Sequence, residues 1–190
     1  ASPVFADGRI YVLSEEGVTL VLRPGATYDE IARNKIDDAV WALNDELAAE
    51  EDDRMDLTLL VGSIDCNTGA VEFVNAGHEN PLLVRTTGEV EEIKLRGGPR
   101  LRSIDGFPYS IERFQMNEGD TLVLISDGAT DAADKSGAMF GLNGVLDAIR
   151  SQQDLSAAER VTQLASAVEQ FEKDADPADD LTVMAVRYNG

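Results

Sequence analysis

An α+β domain, with antiparallel strands and helices in separate layers, is the fold class this sequence predicts. Three observations predict it. Between residues 57 and 126, β-prone runs follow one another across short turns with no helical pattern between them, as in successive hairpins. Two stretches carry apolar residues at helical spacing: Ile36, Val40, Leu43 and Leu47, and again Val161, Leu164, Val168 and Phe171. A last β-prone run, Leu181 to Tyr188, follows the second helical stretch, so strands and helices are segregated rather than alternating.

Taken in order, Arg9 to Leu13 and Val18 to Leu22 are β-prone runs around Ser14-Glu15-Glu16-Gly17 and read as a hairpin, with Gly25 closing the strand section. Thr27 followed by Glu30 has the capping-box pattern, which predicts a helix from there to about Glu50, with Trp41 beside its apolar stripe. The acidic run Glu50 to Asp53 reads as its solvated end. Leu57 to Ile64 and Ala70 to Asn75 form a hairpin around Asp65 to Gly69. Pro81 to Thr86 and Glu89 to Leu95 form a second around Thr87-Gly88, and Tyr109 to Met116 with Thr121 to Ser126 a third around Asn117 to Asp120. Gly144 to Arg150 is a short helix. Ser156 and Glu159 cap the next one, and Pro177 ends it because proline has no amide hydrogen to donate.

Composition narrows the function. A chain of 190 residues that is 43% hydrophobic can bury one domain's core. Its 16 basic and 36 acidic residues give a net charge of −20, which repels nucleic acid and anionic membranes and fits either divalent-cation binding or plain solubility. Cys66 is the sole cysteine, so neither an internal disulfide nor a cysteine zinc site can form, and a reducing, cytoplasmic location is expected. No run approaches the roughly 20 apolar residues of a membrane helix. The start, Ala1-Ser2-Pro3-Val4-Phe5, has neither a signal-peptide pattern nor an initiator Met and reads as that of a fragment or processed chain.

Two acidic spots carry the chemistry. Thr121 to Gly128 is an apolar strand that ends in Ser126-Asp127-Gly128, where glycine permits a sharp turn. Asp179-Asp180-Leu181-Thr182-Val183 is the converse, a carboxylate pair opening an apolar strand. If the two strands lie antiparallel and adjacent, Asp127 and Asp179 meet at one rim, where they repel unless a cation lies between them. Hard oxygen ligands favour Mg²⁺ or Mn²⁺. The alternative is that Asp-Gly is an ordinary turn and the second pair an ordinary strand start. His78, the only histidine, reads as a loop residue between strands. Cys66 has no evident activating base, and Gly97-Gly98-Pro99 is a turn rather than a phosphate-binding loop.

Four motifs occur in order over about 130 residues: Thr58 to Val84, which contains Asn75-Ala76-Gly77-His78-Glu79-Asn80-Pro81; Ser126-Asp127-Gly128-Ala129-Thr130; Phe140-Gly141; and Asp179-Asp180-Leu181-Thr182. Together they resemble the bacterial metal-dependent (PPM-type) serine/threonine protein phosphatases, in the sporulation stage II E and sigma-factor-regulator (RsbU-like) branch. The resemblance implies a β-sandwich of two antiparallel sheets flanked by helices, with two Mn²⁺ or Mg²⁺ ions at one end. It makes Asp127 and Asp179 metal ligands and puts Gly128 and Asp180 beside the substrate. The implied reaction is attack of a metal-activated water on phosphoserine or phosphothreonine, without an enzyme nucleophile. The implied partner is a phosphoprotein such as an anti-sigma-factor antagonist.

The family's earlier ligand motifs, Gly-Gly-Asp with an aromatic and Asp, then Gly-Asp-Val, do not occur. Aligning Asp7-Gly8-Arg9 with the family's corresponding turn puts Glu16 where a bridging aspartate belongs. Residues 6–19, with Ile31-Ala32-Arg33-Asn34, look instead like a blade of a quinoprotein-type β-propeller. The expected organisation is therefore a propeller-like hairpin segment, 1–36, joined to an N-terminally truncated or rearranged phosphatase-like domain, 37–190. The hairpin would stand in for missing strands within the chain or across a homodimer. Three functions stay open: a weak metal-dependent phosphatase, a non-catalytic binding module on the same fold, and a chimeric relic.

Overall fold

The computed structural model describes residues 4–6, 9–13, 19–22, 30–49, 57–94, 96–150, 155–173, 175 and 179–190. In chain order the elements are β1 (Val4–Ala6), β2 (Arg9–Leu13), β3 (Thr19–Leu22), β4 (Glu30–Asn34), α1 (Ile36–Ala49), β5 (Leu59–Ile64), β6 (Ala70–Ala76), β7 (Leu82–Val84), β8 (Val90–Glu92), β9 (Glu112–Gln115), β10 (Thr121–Ile125), α2 (Asp127–Thr130), α3 (Gly141–Arg150), α4 (Ala157–Phe171) and β11 (Val183–Arg187). Two antiparallel sheets flanked by helices carry the two cores, with strand orders β5-β6-β9 and β11-β10-β7-β8, and β1 to β4 form a sheet of their own. The chain divides into two compact units, 1–77 with 96–114, and 78–95 with 115–190. No helix among the described residues is long and apolar enough to cross a membrane.

In the first unit β5 and β6 pair antiparallel from Leu59↔Ala76 to Ile64↔Val71. Their turn is held by the Asp65 carboxylate, which accepts from the Asn67 amide at 2.8 Å, and by Gly69 at φ +72°, a backbone state that glycine adopts without a Cβ penalty. β9 lies on the other side of β6, where Phe114 stacks on Phe73 at 6.0 Å and Arg113 Nε reaches Glu72 at 2.7 Å. α1 covers this sheet with Val40, which packs with Val74, Ala76, Leu101 and Tyr109.

A polar residue organises the same core. Asn44, fully buried on α1, donates through Nδ2 to the Ile104 carbonyl at 3.0 Å and accepts the Arg102 amide at 2.9 Å. That bond holds Arg102 in the left-handed region at φ 71°. Asn44→Ala would take that partner from the part-buried Arg102 amide and Ile104 carbonyl, so a loss of about 1–2 kcal/mol is expected in denaturant unfolding. A loss under about 0.5 kcal/mol would mean that water replaces the amide.

In the second unit β10 is the central strand, antiparallel to β11 from Thr121↔Arg187 to Ile125↔Val183 and to β7 from Thr121↔Val84 to Val123↔Leu82. Leu82, Val84, Val123 and Ile125 meet Val145 and Ile149 of α3 and Leu164 and Val168 of α4. Each such fully buried aliphatic side chain is worth about 1.5–3 kcal/mol relative to exposure. The Ser156 box forms as its pattern predicts: Ser156 Oγ accepts the Glu159 amide, and Glu159 accepts the Ser156 amide at 2.8 Å. The Ser156 hydrogen bonds hold the Glu159 carboxyl below its ordinary range.

Three expectations need correction. The first helix starts at Ile36, not near Thr27: Glu30–Asn34 is a strand on β3, and its inter-strand bonds outweigh the local capping pattern, while Thr27 itself lies outside the described residues. The run 109–126 is no hairpin: β9 belongs with β6 and β10 with β7 and β11, so the turn closed by the Asp120 amide on the Asn117 carbonyl at 3.0 Å carries the chain between sheets. The N-terminal segment is a four-stranded meander, and among the described residues its strands stand in for none in the other sheets, because β1 to β4 bond only to one another. The last helix ends at Phe171, and Pro177 lies outside the described residues.

Candidate metal rim of the second sheet

The antiparallel register of β10 and β11 sets the site. Because Ile125 pairs with Val183, the chain leaving β10 runs beside the chain entering β11. Ser126 ties the two segments. Its amide donates to the Thr182 carbonyl at 3.0 Å, its hydroxyl donates to the Asp180 carbonyl at 3.0 Å, and the same oxygen accepts the Thr182 amide at 2.9 Å. Ser126 stands at the N-cap of α2, yet it makes no side-chain cap bond, since its hydroxyl is spent across the strands.

Gly128 then allows an approach that no other residue permits. A Cβ there would lie 2.5 Å from the Asp180 carbonyl oxygen and 2.8 Å from its carbon. Asp127 thus begins α2 directly beside the segment that carries Asp179 and Asp180. All three carboxylates are exposed. The Asp179 carboxylate accepts the Asp180 amide at 2.7 Å. The Asp127 carboxylate makes no hydrogen bond or ion pair among the described residues.

Of the expected site residues, Asp127, Gly128, Asp179 and Asp180 come together here, and Glu16 lies outside the described residues. Sequence reasoning gave Ser126 no role, although a hydroxyl directly before Asp-Gly was the available signal. The donor set fits a hard divalent cation in kind: exposed carboxylate oxygens, uncommitted at Asp127. It falls short in number, because no group of three or more His, Cys, Asp or Glu among the described residues is placed to hold a metal. Two ions need more donors than this rim supplies.

A sequence model of the stage II sporulation protein E (SpoIIE) family matches residues 18–189. Protein IcfG of Synechocystis is 30% identical over 112 residues, which are 58% of this chain and 18% of IcfG, so the chain spans less than a fifth of that relative's length. The SpoIIE phosphatase domain of Bacillus subtilis, in a crystal form without domain swapping, superposes with a TM-score of 0.64 at 18% identity, covering 98% of this chain and 87% of that one. The catalytic domain of the serine/threonine protein phosphatase PstP in complex with two manganese ions superposes with a TM-score of 0.58 at 19% identity, covering 82% and 70%. Two antiparallel sheets flanked by helices are thus the architecture of known phosphatase domains.

Proposed function

The chain belongs to the SpoIIE family, and on that footing we propose that it is a metal-dependent phosphatase acting on phosphoserine or phosphothreonine in a protein such as an anti-sigma-factor antagonist. The observation that carries the proposal is the rim itself, where Ser126 and Gly128 bring Asp127 against the Asp179-Asp180 segment. Asp127 and Asp179 are the residues that would hold Mn²⁺ or Mg²⁺. Bound there, the ion supplies the Lewis acidity for attack of water on phosphorus. The chain's own contribution is to fix the two carboxylates through the Ser126 bonds and the Gly128 contact, and to keep the Asp127 carboxylate uncommitted. Asp180 and Gly128 form the edge that a phosphoryl group would meet. Further donors come, in this reading, from Glu16 or a second copy of the chain.

Residues 1–36 stay, in this proposal, a segment of separate origin, supported by the self-contained meander of β1 to β4, although the family match starts inside it at residue 18. A second reading, a non-catalytic module on the phosphatase fold, is favoured by the lack of a three-residue ligand cluster among the described residues. Hydrolysis of an aryl phosphate and of a phosphoserine peptide, with Mn²⁺ and then with chelator, separates the two. Turnover that requires Mn²⁺ is expected, and chelator abolishes it. No turnover by folded protein in saturating Mn²⁺ would leave the non-catalytic reading standing.

A further inference from the structure

β11 stands at one end of its sheet, with β10 on one side and, among the described residues, no strand on the other. The β10 pairing fixes which of its backbone groups face outward. The Ser126 amide donates to the Thr182 carbonyl and the Tyr188 amide to the Asp120 carbonyl, each at 3.0 Å, so Thr182, Met184, Val186 and Tyr188 direct their backbone polar groups at β10. Alternate residues of an antiparallel strand point these groups to opposite sides. The N–H and C=O groups of Val183, Ala185 and Arg187 therefore face away from β10, and among the described residues they have no hydrogen-bond partner. We propose that this edge pairs with the β11 edge of a second copy of the chain, continuing the sheet across a twofold axis.

β11 has the make-up of an internal strand in an edge position. It reads Val183-Met184-Ala185-Val186-Arg187, apolar on both faces for four residues, and its pairing with β10 has no bulge. Val183 and Ala185 pack toward the core shared with α3 and α4, while Met184 on the other face is 54% exposed. Edge strands ordinarily carry charges, proline or bulges, which discourage pairing with another chain. The other edges of the two core sheets are protected or weakened: β8 carries Glu91 and Glu92, β9 carries Glu112 and Arg113, and β5 has Gly62 in its interior. In a chain with 36 acidic residues, β11 has none.

A second copy fits this edge because the outward groups are symmetric about Ala185. With Ala185 opposite the partner's Ala185, Val183 lies opposite the partner's Arg187, and Arg187 opposite the partner's Val183. Each of these is a hydrogen-bonded pair that exchanges both N–H···O=C bonds. Met184 then faces the partner's Val186, and that apolar pair leaves water. The same arrangement carries each Arg187 toward the end of the other β11 that Asp179 and Asp180 precede, so the charges beside the seam attract. The copies as wholes, each at −20, repel, and salt screens that repulsion. One five-residue seam is short of the roughly 1,200 Å² that a stable complex buries, so the dimer forms reversibly with concentration.

The test is sedimentation velocity of the full chain over a concentration series, with hydrogen exchange on the same samples. A reversible monomer–dimer equilibrium that tightens with added salt is expected. Exchange at the Val183, Ala185 and Arg187 amides should slow only where the dimer is populated. Met184→Glu puts a carboxylate into the seam at a side chain already exposed in the single chain, so it should weaken dimerisation about tenfold or more and leave thermal unfolding unchanged. Ala185→Pro removes the central outward N–H and should abolish the dimer; should that variant not fold, Met184→Glu decides alone. In a Cys66→Ser background, Met184→Cys mixed with Val186→Cys should cross-link under oxidation faster than either variant alone, because the two positions face each other at about 4.5 Å between Cα atoms. A chain that stays monomeric up to its solubility limit would overturn the proposal. So would a dimer that Met184→Glu leaves unchanged, or slowed exchange of the three amides in a monomer, which would give the edge to a segment of the chain itself. Because no turnover is measured, this outcome is independent of whether the rim catalyses.

Discussion

Asp127→Ala is expected to lower Mn²⁺-dependent hydrolysis of an aryl phosphate by about a hundredfold or more, the scale of several kcal/mol of lost electrostatic stabilisation. The fold should survive. The Asp127 carboxylate is exposed and holds nothing in place among the described residues, so the change in stability should stay within about 0.5 kcal/mol. Asp147→Ala, which removes another exposed carboxylate of the same unit on α3, should leave turnover unchanged. The pair is measured as kcat/KM against Mn²⁺ concentration, with thermal unfolding alongside. A general loss of negative charge would lower both variants alike, whereas a ligand role lowers Asp127→Ala alone. Equal activity in Asp127→Ala and wild type would remove Asp127 from the metal site.

Gly128→Ala carries the second large effect, and its sign is informative. Gly128 sits inside the short helix α2, where propensity alone favours alanine by about 1 kcal/mol. The contact with the Asp180 carbonyl argues the opposite. A Cβ placed 2.5 Å from a backbone oxygen must push the Asp179-Asp180 segment away, at a cost of about 1–3 kcal/mol. Net destabilisation is therefore expected, together with a drop in Mn²⁺-dependent turnover as Asp179 moves away from Asp127. A more stable, equally active variant would mean that the rim is looser than the contact implies.

The site was legible to the extent that it is local. Ser126-Asp127-Gly128 and Asp179-Asp180-Leu181-Thr182 stand out because each sets a carboxylate at the end of an apolar run, and strand ends lie at sheet rims. What the sequence left conditional was whether the two strands are neighbours. The β10–β11 pairing resolves that, and with it the Ser126 bridge, whose partners lie 54 and 56 residues away. Asn44 was unreadable for the same reason: a polar residue beside a helix's apolar stripe looks solvated until the loop that it bonds, 58 and 60 residues on, is in place.

Errors in the strand reading share one cause. Residues 109–126 and 27–34 have sound local signals, a turn between two β-prone runs and a capping pair before an apolar stripe. In both cases inter-strand bonding to a more distant partner prevails: β9 joins β6 rather than β10, and Glu30–Asn34 joins β3 rather than α1. By itself the sequence determined the element types over most of residues 57–188, the Ser156 cap, the acid-rich composition and the motifs of a phosphatase family. Those follow from side-chain periodicity and from hydrogen bonds within one turn of chain, which act over a few residues. Only the tertiary structure decided which strands are neighbours, that Gly128 must be glycine, and that Ser126 bridges the end of β10 to the Asp180–Thr182 segment. Such facts arise from contacts between segments tens of residues apart, and no local pattern encodes which of the possible partners a strand will take.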